Sequence, residues 1–131
     1  MDSSILKRNT NLQRMRINIL QASNYILSQW SGGSTTQLFV YPLTADYATR
    51  NFEFRLSTAT VEAEKSAFTS LPGFHRKLMI LAGEITITHE NRYSKLLNPF
   101  TVETFEGDWK TSSAGKCTDF NVMTNARWQS N

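Results

Sequence analysis

The sequence predicts an all-β fold, an antiparallel barrel or sandwich of about nine or ten short strands. Three observations carry this reading. From Phe52 onward, Phe52, Phe54 and Leu56 alternate with Glu53, Arg55 and Ser57, the period of a half-buried strand, and the β-branched Thr58, Thr60 and Val61 continue it. Leu71-Pro72-Gly73 then supplies a turn, because proline fixes φ and glycine reaches conformations other residues avoid. Beyond it a strand from Arg76 to Leu81 is broken by Ala82-Gly83-Glu84, and Ile85 and Ile87 among threonines start another. Short strands joined by such turns leave no room for the crossover helices of a βαβ fold.

The other elements follow in order. Met15, Ile17 and Ile19 alternate with Arg16, Asn18 and Leu20 as a first strand, and Tyr25-Ile26-Leu27 continues it after a break. Trp30 to Ser34 reads as a loop, since two adjacent glycines are entropically costly inside an element. Thr36 to Tyr41 is a strand ended by Pro42, and residues 43–51 are a polar connection. Val61 to Ala67 has some helical propensity but is too short for a stable helix, so it reads as a strand-edge loop with Phe68 tucked into the core. Tyr93 to Leu97, Phe100 to Phe105, Trp109 to Ser112 and Cys117 to Met123 complete the set. In the last, Asp119, Asn121 and Met123 share one face.

The chain of 131 residues is one domain's worth. Eight Phe, four Tyr and three Trp suit a β core. The net charge of +3 is concentrated in Lys7, Arg8, Arg14 and Arg16, which places a flexible basic segment at 1–14, a single domain at 15–125 and a tail at 126–131. That basic run interleaves with Asn and Gln, not aromatics, so no nucleic-acid partner is expected. The lone Cys117 excludes an intramolecular disulfide and a thiolate metal cluster. No apolar stretch fits a membrane span or a signal peptide, which points to the cytoplasm and to no membrane partner.

Trp30 with Gly32-Gly33 and Thr35-Thr36-Gln37, Phe54-Arg55-Leu56-Ser57-Thr58-Ala59, Phe68 with Leu71-Pro72-Gly73-Phe74-His75-Arg76, and Asp119-Phe120-Asn121-Val122-Met123-Thr124 occur in an order and spacing that resemble the HutD/Ves family of cupin-like proteins. The resemblance covers roughly residues 15–125. It implies a cytosolic double-stranded β-helix, a jelly-roll barrel, serving as a small-molecule sensor or binder. Two departures stand out. The family's Thr-x-Glu pattern reads Thr35-Thr36-Gln37, and the acidic position before the motif arginine is His75. Family members also run on past the Asp-Phe-Asn-x-Met motif, which implies a homodimer in which a second copy replaces the usual C-terminal half.

The residue types bound the chemistry. A catalytic cupin metal site needs several imidazoles with a carboxylate, and this chain has two histidines, His75 and His89, each beside a turn and read as facing solvent. No metal, no cofactor and no catalytic residue are therefore expected. Cys117 reads as a buried small hydrophobe, because no base partners it. Ala114-Gly115-Lys116-Cys117 lacks the spacing of a phosphate loop, and pairing of Glu62 with Glu64 for acid–base work is unsupported. Arg55 and Ser57 face either solvent or a barrel lumen. Arg76 shares a face with Leu78 and Ile80. Arg55, Arg76, Asn121, Ser57 and Asp119 thus surround a pocket for a small anionic or amide-bearing metabolite, with Trp30 as a stacking platform at its mouth. The structural reading instead pairs Arg55 or Arg76 with Asp119 or Glu53 and makes Trp30 a core plug. The functions in view are a metal-independent metabolite binder acting as a sensor or regulator, a non-catalytic interaction scaffold, and a metal-free isomerase.

Overall fold

Ten strands form two facing antiparallel sheets in the computed structural model, which describes residues 25–129. They are β1 (Ile26–Trp30), β2 (Gly33–Tyr41), β3 (Phe54–Val61), β4 (Lys65–Ala67), β5 (Phe74–Gly83), β6 (Ile85–His89), β7 (Tyr93–Leu97), β8 (Val102–Glu106), β9 (Thr111–Ala114) and β10 (Cys117–Asn125). The six-stranded sheet has the order β1-β2-β3-β10-β5-β8, and the four-stranded sheet the order β4-β9-β6-β7. The basic segment at 1–14 and the strand expected over Met15 to Leu20 lie outside the described residues.

Three local expectations are corrected. Trp30 to Ser34 is a tight hairpin, with Trp30 paired to Gly33. Gly33 opens β2 because a Cβ there would collide with the Thr60 carbonyl oxygen. The stretch before Phe68 contains a short edge strand, β4, paired to β9 through Lys65–Ala114 and Ala67–Ser112. Phe68 packs against the core as expected. The last strand, expected to end at Met123, runs two residues further, and Thr124 and Asn125 pair in β10 with His75 and Phe74. At Leu71-Pro72-Gly73 the expected turn forms. Gly73 takes φ +83° and Phe74 N–H donates to the Leu71 carbonyl at 3.2 Å.

The strand alternation decides what the interior contains. On β3 the buried set is Arg55, Ser57, Ala59 and Val61, while Phe54 and Leu56 lie half-buried on the outer face. On β10 the buried set is Cys117, Asp119, Asn121 and Met123, and on β5 it is Phe74, Arg76, Leu78 and Ile80. Apolar packing fills two regions. Val61, Leu78, Ile80, Ile85, Ile87, Leu97, Phe105 and Cys117 form one cluster. Val40, Phe52, Leu71, Phe74 and Met123 form the other.

Candidate functional site

A cavity of about 360 Å³ opens inside the barrel and touches both apolar clusters, through Val61 and Met123. Its wall takes Ser28, Gln29 and Trp30 from β1 and Ser66 and Ala67 from β4, the edge strands of the two sheets. The register fixes what faces it. Met123 pairs with Arg55 on one side and Arg76 on the other, so the two arginines flank β10 in a single row. Adjacent strands lie about 4.8 Å apart, which places their Cα atoms roughly 10 Å from each other. Further along β10 come Asn121, level with Ser57 and Leu78, and then Asp119, level with Ala59 and Ile80. Arg55, Ser57, Arg76, Asp119, Asn121 and Trp30 all line this cavity.

Both arginines are 6% exposed, and among the described residues neither has a carboxylate oxygen within 4.0 Å. The ion pairs with Asp119 or Glu53 weighed from the sequence are absent. Arg55 donates its Nε–H to Gln37 Oε1 at 2.7 Å and lies 4.1 Å over the Tyr47 ring. Arg50 covers the same ring at 4.2 Å, so Tyr47 is held between two guanidiniums. Arg76 donates from Nη1 to the Thr69 carbonyl at 3.3 Å and rests against Phe68 and Phe105, at 5.3 and 5.2 Å. Among the described residues its Nε has no hydrogen-bond partner. Burial pulls the Arg76 guanidinium down to about 10, helped by the nearby Arg55 charge and opposed by Tyr47 and Asp119. Burial likewise lowers Arg55. Both remain cations at neutral pH.

Asp119 is 4% exposed. Asn121 donates its Nδ2–H to Asp119 Oδ1 at 2.6 Å, and among the described residues Asn121 Oδ1 has no hydrogen-bond partner. Burial raises the Asp119 carboxyl to about 7, against the opposing pull of the Ala59 backbone, Arg76 and Asn121. Cys117 is buried, and desolvation followed by the Asp119 charge pushes its thiol up to about 11. Trp30 is partly exposed and donates its Nε1–H to Thr35 Oγ1 at 3.1 Å. A Cβ at Gly32 would strike the Trp30 ring, so the glycine admits the indole.

As for a metal, among the described residues Asp119 is the sole carboxylate in the cavity wall and no histidine joins it. Among the described residues no three His, Cys, Asp or Glu side chains converge. This donor set does not fit a transition-metal centre. The arrangement can instead receive negative charge on two fixed guanidiniums and hydrogen bonds at Asn121 Oδ1, Arg76 Nε and Ser66 Oγ, which are buried without partners.

Several residues at the site were not legible in sequence. Tyr47 lies in an aperiodic connection, and Gln37 carries no charge to mark it. A second buried polar cluster corrects the reading of His89. His89 continues the inward set Ile85, Ile87 and is fully enclosed. Its Nδ1 is 2.8 Å from Thr111 Oγ1 and its Nε2 is 2.9 Å from Glu103 Oε2. Tyr93 donates its hydroxyl to the same carboxylate at 2.6 Å, and Lys95 lies 3.7 Å from it. Burial raises Glu103, but the bonds from Tyr93 and His89 and the Lys95 charge outweigh it and hold the carboxyl below its ordinary value. Because β8 belongs to one sheet and β6 and β7 to the other, this cluster clasps the two sheets together. His75 meets the surface, paired with Glu106 at 2.8 Å.

Comparison with solved structures places this geometry. HutD from Pseudomonas fluorescens SBW25 is 27% identical, with a TM-score of 0.67 over 79% of this chain and 58% of that one. A conserved protein of unknown function from Pseudomonas aeruginosa PAO1 is 25% identical, with a TM-score of 0.71 over 82% and 57%. The chain therefore spans less than two thirds of the length of these two relatives. Ectoine synthase from P. lautus shares the fold at 12% identity and a TM-score of 0.61. No curated protein gives a significant match. Among the described residues no helix is long and apolar enough to cross a membrane. The β-rich architecture is thus of the cupin type, and with the HutD family model matching residues 22–131, the chain belongs to the HutD family.

Proposed function

We propose that the chain is a metal-independent cupin-like protein that binds a small carboxylate-bearing metabolite in its lumen, as a sensor or regulator in the cytoplasm. The observation that carries this reading is the pair of buried guanidiniums, Arg55 and Arg76, facing one cavity with no carboxylate of the described residues at ion-pair distance. Buried charge without a counter-charge is costly, and an anion seated between the two side chains relieves it. A cavity of about 360 Å³ suits a small acid. The partnerless Asn121 Oδ1 favours one that also offers an N–H or O–H donor, such as an amide. The reading is tested by thermal shift with succinate, glutarate, lactate and N-acetylglycine. At least one should raise the melting temperature of the wild type and fail to raise that of Arg55→Met and Arg76→Met. No shift from any of the four would refute it.

A second reading, the barrel as a scaffold that assembles into a homodimer, is favoured by apolar side chains exposed at the sheet edges. Ile26 and Leu27 on β1 are exposed, as are Val102 on β8 and Phe100, at 74%. Light scattering at micromolar concentration decides it, with a monomer mass as the opposing result.

A further inference from the structure

The cavity holds three charge-bearing side chains with unequal provision for their charge. Arg55 and Arg76 occupy the row of Met123, and Asp119 lies four residues away on β10. At about 3.4 Å per residue the Cα separation from Met123 is roughly 14 Å, and long arginine side chains shorten it. Asn121 lies between. The Asp119 carboxyl is enclosed, with one side-chain partner, the neutral Asn121 amide at 2.6 Å, and with neither guanidinium within 4.0 Å.

Resting on the lumen reading above, we propose that anion binding here is coupled to uptake of one proton by Asp119, so that the barrel captures a small carboxylate together with a proton. An ionised Asp119 and the incoming carboxylate are like charges enclosed in one low-dielectric cavity, and both draw on the Arg76 charge. Protonation of Asp119 removes that repulsion. The carboxyl can accept the proton near neutral pH, because burial has already raised it to about 7. The other titratable and charged groups around it are Arg76 from β5, Arg55 from β3, Tyr47 from the β2–β3 connection and Cys117 from β10 itself. The two arginines stay cationic and the Cys117 thiol stays protonated near neutrality, and the β4 and β9 contributions, Ser66 and Ser113, are neutral. Asp119 is therefore the group through which the site senses pH. By linkage, an anion that raises the Asp119 pKa binds more tightly to the protonated form, and its affinity falls as pH rises past the value of the free protein.

The test is isothermal titration with N-acetylglycine and lactate, both ionised throughout, at pH 6.0 and 8.5 in buffers of different ionisation enthalpy. The expected result is at least a tenfold weaker affinity at pH 8.5. Near pH 8 close to one proton should be taken up per anion, and both effects should vanish in Asp119→Asn, whose affinity, whatever its size, should be the same at the two pH values. Binding with equal affinity at the two pH values and no proton uptake overturns the coupling and leaves the lumen reading intact. The same pH dependence surviving in Asp119→Asn assigns the proton elsewhere and overturns it too. Absence of heat from either acid at pH 6.0, together with no thermal shift from any of the four acids, overturns both.

Discussion

Arg55 donates its Nε–H to Gln37 Oε1 at 2.7 Å, so a neutral amide on the neighbouring strand holds this buried guanidinium in place without cancelling its charge. Arg76 is anchored in an equally neutral way, by the Thr69 carbonyl. Substituting either arginine should therefore strand no carboxylate. Arg55→Met leaves Gln37 Oε1 without its donor, a loss of about 1 kcal/mol, and removes a desolvated charge in exchange. Both methionine variants are expected within about 1 kcal/mol of wild type by denaturant unfolding, or more stable. Breaking a buried ion pair would instead cost about 3–5 kcal/mol. A loss of that size in both variants contradicts the unpaired state of the arginines.

Gln37 offers a converse test. Gln37→Glu keeps the shape and places a carboxylate against Arg55. Thermal shifts from the small acids should shrink or disappear in this variant, while circular dichroism stays that of the wild type. An undiminished shift would mean that the Arg55 charge is not what the acids recognise.

How far these residues were legible depends on what the alternation could decide. The period of two placed Arg55 with Ser57 and Asp119 with Asn121, but one strand alone does not reveal which face is inward. The apolar set Phe52, Phe54 and Leu56 alternates as a core face would, yet on β3 the interior is on the arginine side: Phe54 and Leu56 lie half-buried on the outer face, and only Phe52, before the strand, joins the core. Gln37 became part of the site only because β2 lies beside β3, a pairing distant in sequence. Tyr47 lies in an irregular connection whose 3-10 turn, Tyr47–Thr49, is capped by Asp46. For His89 the adjacent turn points to solvent, but the Ile85–Ile87–His89 alternation governs it and turns the ring inward.

The clasp at Glu103 predicts an acid-sensitive stability. Its folded pKa lies below the ordinary value, so its contribution is present above the unfolded pKa and is lost as pH falls through the folded one. Glu103→Gln should cost about 1–3 kcal/mol at pH 7 and flatten the decline in melting temperature below about pH 4.5. Equal acid sensitivity in variant and wild type would remove Glu103 from the account.

Asp119 predicts the opposite slope. Its folded pKa, about 7, lies above the unfolded value of 3.8, so the folded chain holds a proton that the unfolded chain releases between those values. Wild-type stability should fall as pH rises through that window and level off above it. Asp119→Asn should lack this slope and be more stable than wild type at pH 8, by on the order of a few kcal/mol. Urea unfolding of both proteins at pH 5 and pH 8 reads the difference, and parallel pH profiles would contradict it.

The central claim is that both guanidiniums receive one small acid. The most direct measurement follows the side-chain Nε–H resonances of Arg55 and Arg76 by ¹⁵N NMR, assigned through the two methionine variants, during titration with succinate, glutarate, lactate and N-acetylglycine. The account predicts that at least one acid moves both resonances along a common saturating curve while surface arginines stay fixed. If both signals remain in place at millimolar concentrations of all four acids, the lumen is not the anion site proposed here.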